Sequence, residues 1–187
     1  MKIQRTKNSE YFETVANECL RGREGAVVCI NDEPCVWTGA LHTLDLAACR
    51  RRKLHVGKAI YLGGSIVNMP GDLSICITTW GNSDLAPRIV DRAAEWLAGR
   101  GVSIARDEND VLADGAKVIS WARATTRKGW CQSVVHFSVG AMDLELVREI
   151  CTKPMVKTPG ALSLYGLTAE MIWNEIEDIL KEGASNE

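Results

Sequence analysis

An Asp-Gly pair set between two apolar runs constrains this chain more than any other short stretch. Asn109-Asp110-Val111-Leu112-Ala113 and Ala116-Lys117-Val118-Ile119-Ser120 bracket Asp114-Gly115. A tight two-residue hairpin turn needs positive φ at its central positions, which Asp tolerates and Gly adopts freely. The spacing therefore predicts a hairpin that puts Lys117 and the Asn109-Asp110 pair on neighbouring strands. An amide, a carboxylate and an ammonium on such a frame can hold a phosphate, a metal-bound phosphate or a developing carboxylate charge. A surface hairpin with solvated polar residues has the same spacing. With plain alternation, Lys117, Ile119, Trp121 and Arg123 share one face of the second strand, and Val118, Ser120, Ala122 and Ala124 the other.

Around the hairpin, the chain has the size of a single domain over residues 1–187. Its 187 residues are 46% hydrophobic and 25% charged, ordinary for a globular protein with a full core. A net charge of −2 gives no basic field for nucleic acid. No apolar run approaches a membrane span, and Met1-Lys2-Ile3-Gln4-Arg5 lacks a signal-peptide core. Seven cysteines, an odd number without a C-x-x-C pair, sit partly inside apolar runs such as Val27-Val28-Cys29-Ile30. They read as reduced thiols of a cytoplasmic protein. The three histidines are too scattered for a histidine-rich metal site.

Taken in order, Asn8 or Ser9 caps a helix carrying Phe12, Val15, Ala16, Cys19 and Leu20 at helical spacing. Residues 26–30 form a continuous apolar run, the mark of a strand covered on both faces. A strand at Cys35-Val36-Trp37, a helix over 43–53 and a strand over 58–62 follow. Leu73 to Thr79 alternates as a strand, and Ser83 caps an amphipathic helix that ends near Gly99 and Gly101. After the hairpin come a strand over 131–138, a short helix over 143–150 and an irregular Pro/Gly-bearing connection over 152–163. A last helix follows, capped by Thr168, with Met171, Ile172, Ile176, Ile179 and Leu180 inward and Gly183 as its stop. Seven or eight strands, many joined as hairpins and interspersed with helices, make an α+β fold of sheet and helices.

Several segments resemble, in order, the catalytic domains of lipoate–protein ligases, biotin protein ligases and octanoyltransferases, with lipoate ligases nearest. These are Trp37-Thr38-Gly39-Ala40-Leu41-His42, the loop Gly63-Gly64-Ser65-Ile66-Val67, the Asp-Gly hairpin, and Trp130 to Val135 followed by Asp143-Leu144. The resemblance covers roughly residues 10–150 and implies a mixed, largely antiparallel sheet flanked by helices, as in biotin ligases and class II aminoacyl-tRNA synthetases. It implies that Lys117 is the catalytic lysine at the acyl carboxylate and adenylate phosphate. Asn109 and Asp110 would lie near the nucleotide, with Asp110 at Mg²⁺, and Asp114 and His42 would complete the nucleotide and acyl site. Gly63, Gly64 and Ser65 would cradle the adenylate. ATP and Mg²⁺ are the implied cofactors. The implied partners are a lipoyl-acceptor carrier domain and a separate chain supplying the small accessory domain of many lipoate ligases, with no nucleic acid or membrane.

The chain departs from the lipoate ligase pattern at several points. Two glycines stand in the loop where the family has three after an arginine, and Asn68-Met69 replaces its His-Asp. Ser120 replaces a glycine after the lysine, and Gln132-Ser133 a later His-Gly. Two other readings follow. One is a non-catalytic relative acting as a binding module. The other is ATP-independent octanoyl transfer through Cys151, which lies near one subgroup's nucleophile but lacks its Pro-Cys-Gly context.

Overall fold

The computed structural model describes residues 1–39, 43–58 and 65–185, the side chains of 183–185 excepted. Among them, strands β1 (Lys2–Thr6), β2 (Gly25–Ile30), β3 (Cys35–Thr38), β4 (His55–Lys58), β5 (Ser65–Asn68) and β6 (Leu73–Trp80) precede β7 (Ile104–Asp107), β8 (Asp110–Ala113), β9 (Ala116–Thr125) and β10 (Trp130–Phe137). A seven-stranded sheet runs β1-β2-β6-β10-β9-β8-β7, and a three-stranded sheet runs β4-β3-β5. In the large sheet only β1 and β2 pair in parallel. The protein is thus α+β with a mixed, mostly antiparallel sheet, as expected.

Strand β2 explains its own composition. Ala26 and Val28 join the core under helices α3 (Leu85–Gly99) and α5 (Ala169–Ser185), while Val27 and Cys29 face helix α1 (Ser9–Cys19). Both faces are covered, so the run is apolar throughout. Asn8 accepts from the Tyr11 N–H at 2.8 Å as the cap of α1. Phe12 of α1 stacks on Trp37 of β3 at 4.6 Å, which seats the small sheet against the same face of the large one. Helices α2 (Leu46–Arg51) and α4 (Leu144–Ile150) close a third core through Ala48, Cys49, Val147 and Ile150, with Val36 and Val67.

Several boundaries differ from expectation. Strand β1 was not foreseen, because five mixed-polarity residues at a sheet edge carry no clear period. Strand β4 ends at Lys58, and the remainder of the expected 58–62 strand lies outside the described residues. Helix α5 runs through Gly183 to Ser185; a glycine costs a helix roughly 1 kcal/mol, too little alone to end one. Met171 is 36% exposed, and Trp173 takes an inward place instead. Among the described residues no helix is long and apolar enough to cross a membrane.

Candidate active site

The hairpin forms as the sequence predicts, and a bulge then redirects it. Asp114 and Gly115 adopt φ of 49° and 81° at the β8–β9 turn. Beyond the turn, Leu112 pairs with Lys117 but Val111 pairs with Ile119, leaving Val118 as an extra residue on β9. Val118 and Ile119 both enter the core under α3 and α5. Alternation is therefore broken, and Lys117 shares its face with Ser120 instead of Ile119. This corrects the face assignment expected from simple alternation. The face that receives Lys117 is the one opposed by the small sheet, and a cavity of about 390 Å³ lies there.

Lys117 and Asp110 meet at this cavity, with Nζ 3.0 Å from Oδ1. The other carboxylate oxygen of Asp110 accepts from Lys157 Nζ at 2.7 Å, and Lys157 is also 2.8 Å from Asp107 Oδ2. Donating hydrogen bonds to the Asp107 and Asp110 carboxylates raises the Lys157 pKa, so its ammonium is fixed as a charge. Lys157 was not foreseen as a site residue. It reaches Asp110 because residues 158–160, within the expected irregular connection over 152–163, lie along the start of β9. The Lys117 N–H donates to the Thr158 carbonyl, and the Gly160 N–H to the Lys117 carbonyl, each at 2.8 Å. Gly160 permits that approach, since a Cβ there would stand 2.7 Å from Val118 Cγ1. The only hint in the sequence is a pair of lysines, 153 and 157, interleaved with prolines, which gives no indication of which strand they join.

The floor of the cavity is a polar row across the large sheet. Asp110 pairs with Ser120, Ser120 with His136 and His136 with Ser74. His136 Nδ1 lies 3.1 Å from Ser74 Oγ, and Nε2 lies 3.7 Å from Asp72 Oδ2. Burial, together with the charge of Lys117, lowers the His136 pKa to about 3, so the imidazole is neutral. Asp72 accepts backbone N–H bonds from Met69, Val139 and Gly140 at 2.7, 2.7 and 2.8 Å. Burial outweighs these bonds and raises its pKa to about 6. Opposite this floor stand Ile66 and Val67 of β5, and Met142 and Val147 from the α4 region.

The other expected site residues divide clearly. Ser65 lines the cavity and donates to Thr38 Oγ1 at 3.1 Å while bonding Thr43 Oγ1 at 2.7 Å. Cys151 also lines it, but burial raises its thiol pKa, the opposite of an activated nucleophile. Asn109 is exposed in the β7–β8 turn, its carbonyl accepting from the Trp121 N–H, and does not line the cavity. Asp114 is at the opposite end of β8, where its carboxylate accepts from Tyr165 Oη at 2.7 Å. Both fall away from the cavity because they occupy the turns at either end of one short strand. His42, Gly63 and Gly64 lie outside the described residues. Gln132, at the departure from the later His-Gly, is buried and donates to the Ala16 carbonyl of α1, a structural tie.

The architecture is that of the lipoate and biotin protein ligases. Lipoate-protein ligase A bound with ATP matches with a TM-score of 0.75 at 13% identity, over 97% of this chain and 84% of that one. A bi-partite lipoate protein ligase from Thermoplasma acidophilum, studied with its E2 lipoyl domain, matches at 0.72 and 16% identity, over 97% and 82%. The biotin protein ligase from Aquifex aeolicus in complex with biotin and ATP matches at 0.55 and 11% identity, over 97% and 66%. Identities this low speak to the fold. No protein-family model and no curated protein matches the sequence.

Proposed function

We propose that this protein activates a carboxylic acid with ATP and transfers the acyl group to a lysine of a lipoyl-type carrier domain. Lipoate or a medium-chain acid is the substrate class that the related folds support, since solved neighbours carry lipoic acid or ATP. The observation that carries the reading is the pair of ammoniums, Lys117 and Lys157, held on the two oxygens of Asp110 at the cavity. In the first step a carboxylate oxygen attacks the ATP α-phosphate, pyrophosphate leaves, and an acyl-adenylate forms. That step brings anions together, and fixed ammoniums stabilise the charge where it gathers. In the second step the carrier amine attacks the acyl carbonyl and AMP leaves.

Mg²⁺ binds ATP sites through one or two carboxylates plus the phosphates, so a cage of acidic residues is not needed. Among the described residues there is no cluster of three or more potential ligands. Asp110 is the carboxylate that would hold the ion, in exchange for one of its lysines.

Pyrophosphate release with lipoate, octanoate and biotin, comparing the wild type with Lys117→Ala, tests the reading. Turnover with one of these acids, reduced at least about a hundredfold in the variant, is expected from the loss of a charge at the reacting phosphate. An absence of turnover with every acid would overturn it.

A further inference from the structure

The floor of the cavity is more polar than a hydrocarbon chain requires. Ser120 and His136 are paired across β9 and β10, and Ser138 lies two residues beyond His136 on the same face. All three line the cavity and are at most 9% exposed. The His136 nitrogens are directed to Ser74 and Asp72. The Ser120 and Ser138 hydroxyls differ: among the described residues neither has a hydrogen-bond partner. They are diagonal neighbours on the sheet, with Cα atoms about 7–8 Å apart, so one oxygen or one amide between them can meet both. The hydroxyls on the opposite wall, Thr43 and Ser65, are already bonded to each other, and Ser65 also donates to Thr38. Lys117 is on the same face as Ser120 because of the Val118 bulge. An acid whose carboxylate rests at Lys117 therefore extends over these two serines.

We infer that the acid taken by this cavity carries a hydrogen-bonding oxygen or amide along its chain, seated on Ser120 and Ser138, in preference to a plain hydrocarbon acid. The inference rests on the acyl-activating reading and narrows its substrate class. A plain chain would cover two hydroxyls without replacing their hydrogen bonds to solvent, and such a loss works against binding. A chain with a hydroxyl, ketone or amide at that position restores them. The apolar residues Ile66, Val67, Met142 and Val147 then pack the remaining methylenes.

The test uses octanoate and C8 acids bearing a hydroxyl or ketone at C4, C6 or C8, with pyrophosphate release and calorimetric binding measured on the same preparations. One of the oxygenated acids is expected to exceed octanoate by about tenfold in kcat/KM and in affinity, the worth of one or two hydrogen bonds. In Ser120→Ala/Ser138→Ala, shown to be folded by its melting transition, that ratio should fall to about twofold, the oxygenated acid losing its partners and octanoate gaining as the covered hydroxyls are removed. A general loss of structure would lower both acids together and leave the ratio intact, which counts against the inference. Octanoate turned over as well as every oxygenated acid overturns the inference and leaves the acyl-activating reading in place. Tighter binding of an oxygenated acid, lost in the double variant but without pyrophosphate release, supports the serine site and overturns the activation reading. Equal or absent binding of all the acids, without turnover, overturns both.

Discussion

Replacing His136 by leucine and, separately, Asp72 by asparagine should tilt the pH dependence of stability in opposite directions. His136 is held neutral in the folded protein with a pKa near 3, while an unfolded histidine titrates near 6.5. Below pH 6.5 the unfolded chain therefore binds a proton that the folded one refuses, and this residue costs stability as the pH falls. Asp72 behaves in the reverse sense. Its folded pKa of about 6 exceeds the ordinary carboxyl value, so the folded protein takes up its proton first and gains stability as the pH falls from about 6 to 4. One proton is worth about 1.4 kcal/mol per pH unit, and over two units each residue contributes about 2 kcal/mol of opposite sign. In the wild type the two nearly cancel. Urea unfolding at pH 6, 5 and 4, at constant ionic strength, measures the effect. Relative to the wild type, His136→Leu should gain about 2 kcal/mol on acidification and Asp72→Asn should lose about as much. Parallel stability curves for all three proteins would show that the cavity floor does not hold a neutral imidazole beside a carboxyl of raised pKa.

Two further substitutions test how the ammonium pair is assembled. Asp110→Asn removes one of the two carboxylates that keep Lys157 charged, so Lys157 should become the more readily acylated lysine when labelling is followed by mass spectrometry; unchanged labelling would mean that Asp107 alone sets its charge. Gly160→Ala places a Cβ against Val118 and Ala116, with an expected loss of about 1–3 kcal/mol in chemical unfolding and a raised KM for ATP as Lys157 shifts. Wild-type stability and KM together would show that the 152–160 segment accommodates the methyl group without moving its lysine.

What could be read from the sequence were the features that local rules govern. The Asp-Gly turn, the cap at Asn8, the doubly covered strand β2 and the helices α3 and α4 each follow from a few adjacent residues. The cavity depends on two features that are not local. Val118 is an apolar residue in a strand, and alternation assigns it to the face of Ser120. Only the space beneath α3 and α5 shows that it turns inward beside Ile119 and so reverses Lys117. Lys157 is 40 residues from Lys117, and its place depends on a parallel contact between β9 and Pro159 that has no periodic signature. His136 stands in the run Val134-Val135-His136-Phe137, where its neighbours give it the character of any strand residue. Its role follows from facing Ser74 and Asp72 across the sheet.

The bulge and the overlying segment depend on each other. A bulge leaves ladder groups of the bulged strand without their regular partners. Here the chain beyond α4 supplies them: Thr158 accepts the Lys117 N–H, and Gly160 donates to the Lys117 carbonyl. The Val118 carbonyl accepts from the Ser138 N–H at 2.8 Å, on the side of β10. The backbone that satisfies Lys117 is thus the same backbone that carries Lys157 to Asp110, so the two ammoniums are placed by one local arrangement. Loss of the bulge would turn Lys117 toward the core under α3 and α5 and strip the overlying segment of its anchor at the same time. That coupling is why the hairpin, an ordinary turn by its spacing, becomes the frame of a charged site.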